Sequence, residues 1–204
     1  MPKPVQSGRR AEYARHTRQA ILDAARSLFV EKGYFGATVE EIATTARVAP
    51  ATVYAAGGKH GLLRTLIESG TTAEDVQTIL ARIAGSTDPV GLIGFIVHAT
   101  REQFEQWSGL MRQVVAVAPQ EPSVREIQQI AHASMRHGLS LTARRLAALD
   151  ALRDDVDVDR ATDLLWLHLC NAAYFVRTDD LGWSLQESED WLNEALRSAL
   201  LRKP

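Results

Sequence analysis

Side chains that could hold a phosphate oxygen are concentrated in the first 60 residues of this 204-residue chain. Residues 1–60 contain nine Lys and Arg against five Asp and Glu, a net charge of +4. Residues 61–204 contain 14 against 20, a net charge of −6, so the whole chain carries −2. A basic segment on an acidic remainder favours a polyanionic partner, such as nucleic acid, for the basic segment alone.

Several hydrogen-bond donors in the basic segment fall at a helix start or on a predicted exposed helix face. Hydroxyl and ammonium groups in such places suit phosphate oxygens, and contacts of this kind position a protein on DNA without reading its sequence. Arg47, which lies between two predicted helices, is the arginine best placed to contact a guanine or a phosphate. The other donors are Thr38, Thr52, Tyr54 and Lys59.

The elements that must position these donors are two short helices. Thr38 and Glu41 form a capping box for a helix that ends near Ala46. Pro50 suits the first position of the next helix, which runs to about Ala56 before two glycines. Two short helices joined by three or four residues, inside a basic three-helix unit, predict a helix-turn-helix whose second helix faces the DNA major groove.

These residues resemble the signature of the TetR family of bacterial transcriptional repressors over about residues 16–67. The matching residues are Thr38, Val39, Glu40, Glu41, Ile42, Ala43, Ala46, Val48, Ala49, Pro50, Ala51, Thr52, Val53, Tyr54 and Lys59. The resemblance implies a homodimer whose N-terminal heads bind a palindromic operator and whose C-terminal bodies bind a small molecule that releases the DNA. It also implies that Tyr54 and Lys59 contact the DNA backbone. The predicted DNA-binding residues are Thr38, Arg47, Pro50, Ala51, Thr52, Tyr54 and Lys59.

Three positions depart from the family's pattern. Arg47 stands where the family usually has glycine, because the turn tends to need a left-handed backbone. Ala49 replaces the usual serine N-cap, at a cost of about 1 kcal/mol. The link between Tyr54 and Lys59 is one residue short. Two functions therefore stay open: a ligand-responsive repressor, or a dimeric small-molecule-binding protein whose degenerate head binds DNA weakly.

Helical periodicity continues along the rest of the chain and predicts an all-α fold. We expect a three-helix head over residues 1–62 that carries the helix-turn-helix, followed by a helical body over residues 63–204. The family resemblance implies that this body binds the ligand and dimerises. A mobile arm is predicted at residues 1–9. Outside the helix-turn-helix, helices are predicted at residues 10–32, from residue 59 or 60 through residue 67, and at residues 89–107, 108–118, 123–150, 160–177 and 185–201.

Three predicted body helices, at residues 89–107, 108–118 and 160–177, carry candidate ligand-binding residues. The helix from Pro89 to Trp107 is apolar on more than one side, which predicts that it is buried. A stripe at four-residue spacing, Trp166, Cys170 and Tyr174, marks the penultimate helix. A few polar groups in an aromatic, apolar cavity are typical of small-molecule sites, although an ordinary core has the same stripes. The candidate residues are His98, Arg101, Phe104, Trp107, Met111, Trp166, Cys170 and Tyr174.

The last two predicted helices carry more apolar residues than one core face needs, and we expect them to form the dimer interface. Two such helices from each chain make a four-helix bundle. The apolar residues of the first are Leu164, Leu165, Leu167, Leu169, Ala172, Phe175 and Val176. Those of the last are Leu185, Trp191, Leu192, Ala195, Leu196 and Ala199.

Several function classes are not expected. The single cysteine, Cys170, argues against a disulfide framework and fits a reducing cytoplasm. His132 and His137 are five residues apart, which misses one helix face, so we expect no metal, and we expect no cofactor. The sequence has no Gly-rich phosphate loop and no nucleophile elbow, so we expect no enzyme. The longest apolar stretch, residues 89–100, is too short to span a membrane, and no signal peptide is expected.

Overall fold

The computed structural model describes residues 5–68 and 73–202, with the side chains of residues 11–68 and 77–202. Among these residues, Leu152 and Leu201 form an isolated antiparallel β-bridge. The predicted all-α fold is confirmed. The helices are α1 (Val5–Gly36), α2 (Val39–Ala46), α3 (Pro50–Ala55), α4 (Gly58–Glu68), α5 (Ala73–Gly85), α6 (Pro89–Val117), α7 (Pro122–Ala148), α8 (Val158–Leu169), α9 (Asn171–Phe175) and α10 (Leu185–Leu200), with a π-helical turn at Val176–Asp180.

The chain divides into two compact units. The first unit consists of Met1–Gly70 and Gly109–Gln129, and the second of Thr71–Ser108 and Ile130–Pro204. Helices α6 and α7 therefore contribute residues to both. The predicted functional boundary between residues 62 and 63 falls within α4 and stays a prediction. No helix among the described residues is both long and apolar enough to cross a membrane.

Helices α1 to α4 supply the N-terminal part of the first unit's core. The apolar side chains of the two short helices and their turn face the core: Ile42, Ala43 and Val53 are buried, while Ala46 and Val48 are half-buried. Burial of these side chains fixes α3 against α2. The other buried residues on α1 and α4 are Ile21, Leu22, Ala24, Ala25, Leu28, Phe29, Tyr34, Leu62, Leu63 and Leu66.

Helix α1 is longer at both ends than its sequence pattern predicts. It begins at Val5, so residues 5–9 are helical rather than part of the predicted arm, and residues 1–4 lie outside the described residues. Gly33, directly after the predicted helix end at residue 32, has non-helical backbone angles of φ 77° and ψ 163°. A further helical turn follows it to Gly36, so the glycine produces a kink instead of an end.

The second unit has an apolar core built mainly by α6, α7, α8 and α10, to which α5 contributes Ile83 and α9 contributes Tyr174. Helix α6 runs unbroken through Ser108, where the sequence predicts a division, and α7 runs unbroken through Gly138. One glycine costs a helix about 1 kcal/mol relative to alanine, which tertiary packing offsets. The predicted helix over residues 160–177 is wrong in its continuity, because the backbone at Cys170 (φ −65°, ψ 156°) separates α8 from α9.

Candidate functional site

The turn between α2 and α3 is closed by Arg47 in the left-handed conformation, with φ 57° and ψ 44°. The Arg47 amide donates to the Thr44 carbonyl at 3.2 Å, and the Val48 amide donates to the Ala43 carbonyl at 2.9 Å. These two bonds form a Schellman motif, in which glycine is the usual left-handed residue. The predicted left-handed backbone is confirmed, and the Arg47 side chain is exposed beside the start of α3.

The start of α2 is held by the predicted capping box. The Glu41 amide donates to Thr38 Oγ1 at 3.1 Å, and the Thr38 amide donates to the Glu41 carboxylate at 3.0 Å. Lys32 Nζ donates to the same carboxylate at 2.6 Å. These bonds lower the pKa of Glu41 below its ordinary value, and the bond from Lys32 has the largest effect. The capping box therefore fixes the exposed Thr38 hydroxyl at the helix terminus.

Helix α3 is six residues long, and one of its side chains is buried in the core. Val53 is fully buried, whereas Pro50, Ala51, Thr52 and Tyr54 are exposed, Tyr54 to 61%. Ala49 is the N-cap residue and makes no side-chain hydrogen bond to the helix. The exposed face of α3 therefore offers hydroxyl donors, which suit phosphate oxygens, and has no amide or guanidinium to read a base edge.

Two glycines with positive φ connect α3 to α4. Gly57 has φ 101° and Gly58 has φ 60°. A Cβ on Gly57 would lie 3.0 Å from the Gly61 Cα, so a side chain at position 57 would collide with the first turn of α4. This conformation closes the shortened link and places Lys59 in that turn, where it is half-buried. The seven predicted DNA-binding residues thus lie in the first unit, and all except Lys59 are exposed.

Among the candidate ligand residues, His98 and Arg101 on α6 converge on one carboxylate of α10. His98 Nδ1 lies 2.9 Å from Glu189 Oε1, and an Arg101 amino group donates to Glu189 Oε2 at 2.5 Å. Burial raises the pKa of the Glu189 carboxyl, but the hydrogen bonds from Arg101 and His98 outweigh it, and the pKa is below its ordinary value. Glu189 is therefore a buried anion between two donors.

Phe104 and Tyr174 stack in the core of the second unit. Their ring centroids are 4.4 Å apart with an interplanar angle of 20°. Tyr174 is fully buried, and its hydroxyl has no hydrogen-bond partner among the described residues. Burial raises the pKa of this hydroxyl to about 12. An unpaired buried hydroxyl is costly, so Tyr174 is a group whose hydrogen bond a bound molecule could complete.

The structure distributes the other candidate ligand residues among different surroundings. Trp166 meets His132 edge-on at 5.0 Å, and Cys170 is half-buried at the break between α8 and α9. Trp107 is half-buried, and Met111 is buried in the first unit. An open cleft of about 470 Å³ in the second unit contains none of the eight candidates. It is lined by residues that include Arg82, Ser86, Asp88, Gly91 and Phe95.

Sequence reasoning missed three polar residues of the second unit, Arg177, Ser188 and Glu189, which are all buried. Arg177 Nε donates to Ser188 Oγ at 2.7 Å, and a terminal nitrogen donates to the His168 carbonyl at 2.9 Å. Its guanidinium also lies 4.6 Å from the Tyr174 ring centroid. Charged residues near helix ends are normally exposed, so the sequence carries no signal for these contacts.

A family profile described as bacterial regulatory proteins of the tetR family matches residues 21–65 of this chain, the stretch that contains both short helices. The chain is also similar to the HTH-type transcriptional regulator UidR of Escherichia coli strain K12. The two are 22% identical over 156 residues, which cover 74% of this chain and 77% of UidR.

Two solved structures share the architecture. NalD, the secondary repressor of the MexAB-OprM multidrug efflux pump in Pseudomonas aeruginosa, is 22% identical with a TM-score of 0.72, covering 95% of this chain and 100% of NalD. A protein from Saccharomonospora viridis, solved in complex with choline, is 19% identical with a TM-score of 0.73, covering 91% and 98%. At these identities the two likenesses establish the fold.

Proposed function

This chain belongs to the TetR family of bacterial regulatory proteins, and we propose that it represses transcription by binding a palindromic operator as a homodimer until a small molecule releases it. As a member of this family it is a ligand-responsive, DNA-binding transcriptional regulator. The observation that carries the proposal is the exposed face of α3, fixed by buried Val53 and preceded by the left-handed turn at Arg47. Because it acts on an operator, it works in the bacterial cytoplasm, where the chromosome is.

The proposed DNA interface combines hydroxyl and cationic donors of the first unit. Tyr54 and Thr52 present hydroxyls on the exposed side of α3. The exposed Thr38 at the start of α2 donates its hydroxyl to the Glu41 carboxylate at 3.1 Å in the free protein, so contact with a phosphate would replace this bond. Arg47 and Lys59 add positive charge at the two ends of α3. Pro50 and Ala51 are small enough to let the helix backbone approach the groove. Most of these contacts would go to phosphates, with Arg47 the residue suited to a base edge.

The proposed dimer forms through α8, the π-helical turn and α10. Leu167 is 64% exposed and Trp191 42% exposed, and Val176 and Leu181 are also exposed. The Trp191 ring centroid lies 5.8 Å from that of His168 and 5.7 Å from that of Trp183, so three rings form a cluster at this exposed tryptophan. Exposed apolar patches of this kind mark interaction sites. A two-fold dimer also gives the two heads that a palindromic operator requires.

The proposed effector site lies in the second unit around Phe104 and Tyr174. The unpaired Tyr174 hydroxyl would bond a polar atom of the ligand, and the aromatic rings would cover its apolar part. Five other candidates in the second unit could make further contacts: His98, Arg101, Trp107, Trp166 and Cys170. Met111 is buried in the first unit and is not included in this proposed site. The choline complex of the similar protein supports a small-molecule site in this fold.

A salt-dependent gel-shift or anisotropy titration tests the DNA part of the proposal. Duplexes from the region upstream of the protein's own gene should bind with palindrome specificity. Affinity should fall about a thousandfold between about 50 and 200 mM salt, because six or more phosphate contacts release counterions. Tyr54→Phe and Lys59→Ala should weaken all duplexes about equally. Binding that ignores salt, or that is equal for a scrambled duplex, would contradict the proposal.

The effector part needs a separate experiment. A compound that raises the melting temperature of the free protein should also weaken its operator binding. Tyr174→Phe should lower the sensitivity to that compound, whereas Tyr13→Phe, which changes a tyrosine that is 77% exposed, should leave it unchanged. An equal response of both variants to the compound would exclude Tyr174 from the effector site.

The second candidate function is a dimeric small-molecule-binding protein whose degenerate head binds DNA weakly. It is favoured by the absence of base-reading side chains on α3 and of a side-chain cap at Ala49. The same titration separates the two functions. A folded, effector-binding dimer that binds every duplex only weakly and without palindrome specificity would favour this second candidate.

A further inference from the structure

Lys59 is held by an aromatic ring in this structure. Its Nζ atom lies 4.8 Å from the centroid of the Tyr34 ring, a cation–π distance. Lys59 is half-buried, and burial lowers the pKa of its ammonium group below the ordinary value. Lys59 forms no ion pair with any described side chain. The ring of Tyr34, and no carboxylate, therefore fixes the direction of this ammonium group.

The Tyr34 ring is itself rigidly placed. Only 8% of the residue is exposed, and its ring centroid lies 5.5 Å from that of Phe29 and 5.6 Å from that of Phe35. The kink at Gly33, with φ 77°, sets the direction of the last helical turn of α1, which carries Tyr34. A Cβ on Gly33 would lie 3.1 Å from Gln113 Oε1, so the kink is also closely packed.

A fixed lysine binds a phosphate better than a freely rotating one. A free lysine side chain carries about 2 kcal/mol of rotamer entropy, part of which is lost when it contacts DNA. A ring that already restricts the side chain reduces this loss on binding. The ammonium group has three N–H donors, so contact with one ring face leaves donors available to a phosphate oxygen.

We propose that Tyr34 is a positioning residue for operator binding, whose ring face holds the Lys59 ammonium in place for the DNA backbone. This inference rests on the proposed function, because it assigns Lys59 a phosphate contact. Tyr34 acts through Lys59 and does not itself touch DNA. The Tyr34 hydroxyl is not required, since the attraction comes from the ring face.

A double-mutant cycle on the full-length protein tests the coupling. Tyr34→Phe should bind the operator like the wild type, and Tyr34→Leu should bind about three- to fivefold more weakly, the range expected for loss of a cation–π contact. In the Lys59→Ala background, Tyr34→Leu should have no additional effect. An equal loss from Tyr34→Leu in both backgrounds, or no loss in either, would overturn the inference.

A second series keeps the shape of the ring in case Tyr34→Leu does not fold. Phenylalanine analogues with one, two and three ring fluorines at position 34 weaken the negative charge of the ring face stepwise. Operator affinity should fall with each fluorine when Lys59 is present and should not change in the Lys59→Ala background. An affinity independent of fluorine number would overturn the inference.

The outcomes also separate this inference from the proposed function. If the wild type binds the operator and Lys59→Ala binds equally well, Lys59 makes no phosphate contact and this inference alone fails. If the wild type binds no duplex specifically, the proposed function fails and the inference fails with it.

Discussion

Arg177 Nε donates to Ser188 Oγ at 2.7 Å, and both side chains are buried in the second unit. The same guanidinium donates to the His168 carbonyl and lies over the Tyr174 ring. Arg177 thereby links the C-terminal ends of α8 and α9 to the first turn of α10, the elements proposed to form the dimer surface and part of the effector site.

Arg177→Ala should lower the free energy of unfolding by about 3 kcal/mol, because two charge-assisted hydrogen bonds are lost and their acceptors stay buried. Urea unfolding measures this change. Arg160→Ala, which removes an exposed arginine of α8, is the matched control and should change stability by less than about 0.5 kcal/mol. An equal effect of both substitutions would contradict the structural role of Arg177.

Arg47→Gly should leave the free energy of unfolding unchanged or raise it by up to about 1 kcal/mol. Glycine removes the strain of a Cβ in the left-handed region, while the larger entropy of the unfolded chain offsets part of the gain. Operator affinity should fall, because a cation beside α3 is lost. Arg47→Ala should lose the same affinity without the gain in stability. Thermal melts measure the change in stability, and salt-series titrations measure the change in operator affinity. A lower melting temperature of the glycine variant with unchanged operator affinity would contradict both expectations.

Leu167→Glu should convert the dimer to a monomer, because Leu167 is 64% exposed on the proposed interface and a charge is unfavourable at an interface core. Leu169→Glu is the matched comparison two residues along α8. Leu169 is 1% exposed, so a carboxylate there should unfold the second unit. Sedimentation velocity at low micromolar concentration and circular dichroism distinguish the results. A Leu167→Glu protein that stays dimeric would place the interface elsewhere.

Tyr174→Phe should raise the free energy of unfolding of the free protein by about 1–2 kcal/mol, because it removes a buried hydroxyl that has no partner among the described residues. The pKa of Tyr174 is about 12 in the folded protein, above its ordinary value of 10.0. The unfolded chain therefore loses this proton first, and wild-type stability falls as pH rises between these values.

Urea unfolding at about pH 9 and about pH 11 tests this pH dependence. The fall in stability should be smaller in Tyr174→Phe than in the wild type, and Tyr13→Phe should behave like the wild type because Tyr13 is exposed. Identical pH dependence in all three proteins would show that Tyr174 titrates normally.

The sequence by itself determined the local features of this fold. The capping box at Thr38–Glu41, the proline at the start of α3 and the break at Gly33 each depend on groups within four residues. The left-handed turn at Arg47 was predictable through the family resemblance for the same reason, since a Schellman motif closes over six residues.

Only the tertiary structure decided which polar and apolar groups meet across helices. The Glu189 carboxylate accepts a hydrogen bond from Arg101, which lies 88 positions earlier in the chain. The Lys59 ammonium contacts the ring of Tyr34, which lies 25 positions earlier. Leu167 and Leu169 are the same residue type on the same helix, yet Leu167 is exposed and Leu169 is buried. Helical spacing assigns each residue to one face of its helix, but it does not show which helix packs against that face. That choice, and the break between α8 and α9 at Cys170, depend on packing between segments that are distant in sequence.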